Sequence, residues 1–175
     1  MSLNLPNSLA IESKESFMQV FANLYEHSPW VAERAYLPTK LKREYNDLQN
    51  FHSLLSEVLL DSDTDLQQEL ILAHPMLKAK RAENTELSKF STIEQESAGL
   101  DNCSDKEIAM FEVLNEKYFL KFKFPFIMAI KEKNKNDIMS GFALRQQNSI
   151  ELEKQNAIAE INKIAWLRIK EIYGI

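Results

Sequence analysis

Glycine is scarce in this chain, with three among 175 residues. Turn-rich all-β folds and phosphate-cradling loops rely on glycine for positive φ, so its scarcity favours helices. Cysteine is scarcer still. The single Cys103 cannot close an internal disulfide, and it has no Cys or His neighbour at metal-ligand spacing, which predicts a reducing compartment and no metal centre. No run approaches the ~18 apolar residues of a membrane span, and the opening MSLNLPNSLAIESKES has no cationic stretch leading into an apolar one. A basic face is lacking too: the net charge of -5 comes from acidic and basic residues interleaved along the chain, which argues against a nucleic-acid partner. The final Ile172, Tyr173, Gly174, Ile175 carry no peroxisomal address. The expected setting is the cytoplasm, away from membranes.

What is present fits one all-α domain spanning residues 1–175. With 45% hydrophobic and 27% charged residues the chain sits near the globular average, and its length suffices for one core. Phe17, Val20, Phe21 and Leu24 recur at helical spacing as far as Tyr25. Ser28 and Pro29 then read as an N-cap and first helical position for a short helix from Trp30 to Tyr36, stopped by Pro38. Thr39 can cap a long amphipathic helix through Leu41, Tyr45, Leu48, Leu55 and Leu59 to about Leu60. A further helix starts at Thr64 or Asp65 and must end near His74, because proline at 75 disfavours helical geometry in the residue before it.

The polar stretch from Lys78 to Lys89 reads as a loop, after which Ser91 opens a short helix that Gly99 closes. Ser104 and Glu107 form a capping box for a helix to about Phe122. The apolar Phe124 to Ile130 that follows reads as a buried extended segment or tight bend. Asn136 or Asp137 begins the next helix. Asn148 with Glu151 caps the last, whose inward stripe is Leu152, Ile158, Ile161, Ile164, Ala165, Leu167 and Ile169.

Several residues on this frame can carry chemistry, each with an ordinary alternative. His74 at a helix C-terminus feels a dipole that favours the imidazolium, which suits a proton donor, although a histidine so placed is more often structural. Ser91 and Glu94 have the spacing of a capping box as well as that of a site. Arg168 interrupts an apolar helix, and its stem can lie along the core with its head in water. His27 and His52, read as helical, have no second ligand at metal spacing. The serines lack a nucleophile elbow, and the acidic neighbour of Cys103 raises a thiol pKa, so covalent catalysis is not indicated. Lys80 or Arg81 can screen an anionic substrate.

Together these stretches resemble one family, the 2-oxo-4-hydroxy-4-carboxy-5-ureidoimidazoline (OHCU) decarboxylases of urate degradation. The resemblance runs through SPWVAERAY at Ser28 to Tyr36, HPMLKAK at His74 to Lys80 and STIEQESAGLD at Ser91 to Asp101. It continues in LNEKYFLKFKFPFIMAI at Leu114 to Ile130 and INKIAWLRI at Ile161 to Ile169. It implies a single-domain helical bundle of that type, usually a homodimer, acting as a cofactor-free carboxy-lyase that yields (S)-allantoin. The implied catalytic residues are His74, Glu94 and Arg168. Substrate contacts fall on Pro75, on Ser91, Thr92, Ile93, Glu94 and Gln95, and on Phe126, Ile127, Met128, Ala129 and Ile130. The chain departs from the family's common motifs at Met76, where aspartate is usual, and at Lys123, where glycine is usual. If that glycine adopts a positive φ, Lys123 strains the turn into the binding segment. A helical binding or scaffold protein that keeps the pocket without turnover is the alternative these departures support.

Overall fold

The computed structural model describes residues 4–78 and 88–175. Among the described residues the secondary structure is helical, in the order α1 (Pro6–Glu12), α2 (Lys14–Phe21), α3 (Trp30–Leu41), a 3-10 turn (Arg43–Asn46), α4 (Leu48–Leu60), α5 (Thr64–Ala73), α6 (Lys89–Ser97), α7 (Asp105–Phe122), α8 (Lys135–Arg145) and α9 (Ile150–Tyr173). The all-α expectation holds. These elements gather into two compact units, one running to Ala73 and including Ala165–Ile175, the other His74–Ile164.

In the first unit the core is aromatic. Phe17, Phe21 and Phe51 are fully buried, and their rings meet edge-on or tilted with centroids 4.7–5.9 Å apart. Here α2 ends at Phe21, so Leu24 and Tyr25 reach the core from a turn. The seven residues of α1, which the sequence reading does not assign to an element, form a helix with Pro6 at a first helical position, where a missing N–H costs nothing.

Pro38 does not stop α3. A proline inside a helix removes one hydrogen bond and crowds the preceding turn, at about 3 kcal/mol. Here tertiary bonds offset that cost: the Asn7 side-chain amide donates to Thr39 O at 2.8 Å and to Lys40 O at 3.2 Å. Thr39, read as a cap for the next helix, instead lies buried in α3 and donates its hydroxyl to Ala35 O at 2.7 Å. The cap of α4 is Asp47, which accepts from the backbone N–H of Gln49 and Asn50. The long helix expected from Leu41 therefore breaks into a 3-10 turn and α4. His27 is not helical either; it sits in a turn at φ 45.

The second unit follows the sequence more closely. The Ser104/Glu107 capping box opens α7 as expected, and α8 begins with a second box, Asn134 with Asp137. The start of α9 belongs to Ser149, whose hydroxyl accepts from Leu152 N–H, while Asn148 turns to Glu153. Its buried stripe keeps Ile161, Ile164, Ala165 and Ile169 of the one read in the sequence and differs from it at the other positions. Glu153, Ala157, Ile161, Ile164, Ala165, Arg168 and Ile169 are buried at spacings of three and four, whereas Leu152 is 46% exposed. Rings of Tyr118, Phe122, Phe124, Phe126 and Phe142 form this unit's aromatic core.

Candidate active site

His74 follows directly on the last residue of α5, where Pro75 ends the helix, and it is buried. The turn after it is fixed from two helices. Leu77 O accepts from the Asn115 side-chain amide of α7 at 2.8 Å, and Lys78 N–H donates to Gln95 Oε1 of α6 at 3.1 Å. Asn115 is itself buried, and donates to Phe111 O one turn back at 2.9 Å. Lys78 adopts φ 51, a left-handed conformation unusual for a side chain of its kind, so the sharp turn is held by those partners. The bond to Lys78 also orients Gln95. Its carbonyl end is taken by a backbone N–H, leaving the NH2 end as the donor.

The first turn of α6 differs from the sequence reading. The N-cap is Ser88, which accepts from Ser91 N–H at 3.2 Å, so Ser91 and Glu94 are not a capping box. Ser91 is instead buried one turn into the helix, with Glu94, Gln95 and the buried Ala98 following on the same face. Thr92 returns its hydroxyl to Ser88 O at 3.2 Å, and Ile93 is 38% exposed. Gly99 closes the helix as expected: at φ 71 it lets Leu100 N–H reach Gln95 O at 3.0 Å while its own N–H reaches Glu96 O at 2.9 Å.

The segment 124–130 has neither helix nor strand, and Phe124, Phe126, Ile127 and Ile130 are buried. It is entered through Lys123, whose φ of 63 and ψ of 24 place it in the left-handed region that the common glycine would occupy freely. Buried backbone outside a ladder must find other partners. Ala129 N–H donates to Glu160 Oε2 of α9 at 2.8 Å, and Ile127 O accepts from Arg145 Nη1 of α8 at 2.5 Å.

Arg145 is anchored in turn by Glu153, which is fully buried. Glu153 Oε1 accepts from Arg145 Nε at 2.7 Å and from the Tyr118 hydroxyl; Oε2 accepts from Asn148 at 2.7 Å and Asn156 at 3.2 Å. Burial pushes the Glu153 carboxyl up, but the hydrogen bonds from Tyr118, Asn148 and Arg145 outweigh it and hold the group below the ordinary value. Burial and then the bond to Glu153 raise the Tyr118 phenol.

Arg168 belongs to the other unit, and its head does not reach water. The guanidinium is 1% exposed, donates through Nη2 to Glu26 Oε2 at 3.1 Å, and lies 3.3 Å from Leu24 O. His74, the α6 face and residues 126–130 thus share one compact unit, whereas Arg168 is placed in the first by its carboxylate partner. Among the described residues there is no group of His, Cys, Asp and Glu able to hold a metal ion, and burial raises the Cys103 thiol. Lys80 and Arg81 lie outside the described residues. Sequence reasoning overlooked Arg145, Glu153 and Glu160. The available signal was the α9 repeat, which counted back from Ile161 through Ala157 lands on a glutamate that must be buried.

No described helix is long and apolar enough to cross a membrane. The OHCU decarboxylase family model matches residues 11–170. The 2-oxo-4-hydroxy-4-carboxy-5-ureidoimidazoline decarboxylase of Haloferax volcanii is 37% identical over 160 residues, 91% of this chain and 90% of that protein. A uric acid degradation bifunctional protein of Bacillus subtilis is 34% identical over 90% of this chain, which spans 30% of it. Among solved structures, (S)-allantoin synthase aligns with a TM-score of 0.73 at 23% identity, covering 97% of this chain and 54% of that one. OHCU decarboxylase in the presence of (S)-allantoin aligns at 0.67 and 17% identity over 88% of this chain and 97% of that one. Those likenesses extend the agreement to the fold. By the family match and the identity with its members, the chain belongs to the OHCU decarboxylase family.

Proposed function

We propose that the chain converts OHCU to (S)-allantoin in urate degradation, with His74 as the proton-transferring group. The observation that carries this is the unbroken family match over residues 11–170, which takes in every motif around His74, Glu94, residues 126–130 and Arg168. That match runs through both compact units and supports treating them as one functional domain.

The reaction breaks the bond between the ring carbon and its carboxylate. CO2 leaves, the bonding electron pair forms a double bond to the neighbouring ureido-bearing carbon as the imine nitrogen takes up its electrons, and the resulting enol loses its hydroxyl proton to become a carbonyl while the ureido-bearing carbon takes a proton on one face. Because the ring itself accepts the electrons, the protein's task is to orient, desolvate and deliver the proton. His74, paired with Glu94, exchanges a proton with the substrate hydroxyl or protonates the carbanion. The Gln95 NH2, free to donate because Lys78 holds its carbonyl, and backbone groups of Phe126, Ile127, Met128, Ala129 and Ile130 orient the ring amides. Pro75, Ser91, Thr92 and Ile93 complete the substrate contacts. Apolar walls from Phe126 and Ile127 exclude water and favour CO2 departure. The sequence reading has Arg168 balancing Glu94 or binding a substrate oxyanion; the carboxylate that it meets in the structure is that of Glu26.

The protein acts as a homodimer in the cytoplasm, a reading supported by the family resemblance and by a lone cysteine that needs no oxidising compartment. Light scattering on the purified chain tests the dimer. Activity is tested with substrate freshly made from urate by urate oxidase and hydroxyisourate hydrolase. The chain should accelerate loss of its ultraviolet absorbance over the spontaneous decay; a binder without turnover leaves the decay unchanged.

A further inference from the structure

The backbone that the proposed function assigns to substrate binding has no secondary structure of its own, yet its position is fixed at three points by side chains outside the proposed catalytic set. Arg145 Nη1 donates to Ile127 O at 2.5 Å, and its guanidinium lies 4.6 Å from the centroid of the Phe126 ring. Phe126 stacks on Phe142, one turn earlier on α8, with centroids 3.9 Å apart and planes 22° off parallel. Beside them Gly141 leaves the space the segment occupies: a Cβ there would meet Met128 Sδ at 3.1 Å and Phe126 Cζ at 3.3 Å. The third point is Glu160, which accepts from Ala129 N–H at 2.8 Å.

A flexible arginine would be a poor fixture unless it were fixed itself. Glu153 supplies that, because its Oε1 faces both Nε at 2.7 Å and Nη2 at 2.6 Å. The carboxylate in turn is locked by Tyr118, Asn148 and Asn156, so it has no freedom to release the guanidinium. A salt bridge this enclosed contributes little net stability against an apolar alternative, since desolvation consumes most of the attraction. Its geometric value is larger. The planar guanidinium translates the fixed carboxylate into a fixed position for the Ile127 carbonyl.

We infer that Arg145, set by Glu153, is a positioning residue for substrate binding, holding residues 126–128 against the α8 face so that their remaining backbone groups meet the ring amides. The inference rests on the proposed decarboxylase reading. It also divides the work within the segment: the Ala129 N–H, committed to Glu160, belongs to the scaffold, and the donors offered to substrate come from its neighbours.

The test compares the parent with Arg145→Met and Arg145→Lys, measuring KM and kcat on fresh substrate, allantoin affinity by calorimetry, and folding by circular dichroism. Arg145→Met should stay helical and raise KM and the allantoin dissociation constant by about tenfold or more, the scale of one hydrogen bond to a charged donor. Arg145→Lys, which keeps the charge but not the fork, should fall between. If Arg145→Met fails to fold, a rise in KM and in the allantoin dissociation constant above the parent's is read from Arg145→Lys alone. A folded Arg145 variant with parental KM and allantoin affinity overturns the inference, as does a uniform loss of active molecules with KM unchanged. A parent that neither turns over substrate nor binds allantoin overturns the decarboxylase reading instead.

Discussion

Arg168 Nη2 lies 3.1 Å from Glu26 Oε2, and each side chain is 1% exposed. Removing one member of such a pair leaves the other charge buried without its counter-ion. Glu26→Gln should therefore destabilise the protein by about 3–5 kcal/mol, against the ~1 kcal/mol or less of an exposed pair. Urea unfolding of the variant and the parent measures the difference. A loss as small as that of a surface bridge would mean that Arg168 is satisfied without Glu26.

Capping and chemistry separate on α6. Ser88 accepts from Ser91 N–H, so Ser88→Ala should cost about 1 kcal/mol of stability, the usual value of a side-chain cap. Glu94→Gln lies beyond the cap and should leave stability near the parent's while lowering kcat. Thermal unfolding and turnover of the two variants check this; equal turnover in Glu94→Gln and the parent would remove Glu94 from the catalytic set.

The turn into the substrate segment carries strain that a single substitution relieves. Lys123 holds φ 63, and an L-residue in that region costs about 1–2 kcal/mol relative to its ordinary conformations. Lys123→Gly should stabilise the protein by about 1 kcal/mol, somewhat less than the full strain because glycine also loosens the unfolded chain. A higher urea midpoint with an unchanged slope is the expected reading, and a lower midpoint contradicts it.

Acid acts on the start of α7. The Lys135 bond, with those from Ser104, holds the half-buried Glu107 carboxyl at about 2, below the ordinary 4.5. A depressed carboxylate stabilises fully above its unfolded pKa, and that contribution fades as pH falls through the folded one. The parent should thus lose stability relative to Glu107→Gln between about pH 4.5 and about pH 2, as read from melting temperatures of the two proteins. A constant difference across that window would show the carboxyl to be unperturbed.

Much of this was legible in the sequence where local chemistry decides the outcome. Pro75 ended α5, Gly99 ended α6, and Ser104 with Glu107 opened α7, because each acts within one turn of its own position. Reading failed where distant groups decide. Pro38 stays helical because Asn7 reaches its helix from another element, and the Ser88 hydroxyl, three residues upstream, took the cap that Ser91 seemed to fill. The same holds for the site. His74 could be picked out by its helix end, but a buried role for Glu153 needed the partners Arg145, Tyr118 and Asn148 to become evident. Arg168, which the sequence reads as a stem in the core with its head in water, is buried against Glu26 and the Leu24 carbonyl, both far away in sequence.

The central claim is that His74 delivers the proton that makes decarboxylation fast and one-handed. It is tested by following circular dichroism of the allantoin formed from fresh substrate, with parent protein, with His74→Gln and with neither. The parent should give a rapid signal of one sign, that of (S)-allantoin, while spontaneous decay gives a racemate and none. His74→Gln should keep its helical spectrum and lose about 10²–10⁴-fold in rate, the usual contribution of a general acid or base. A folded His74→Gln that forms (S)-allantoin at the parent's rate would contradict the account.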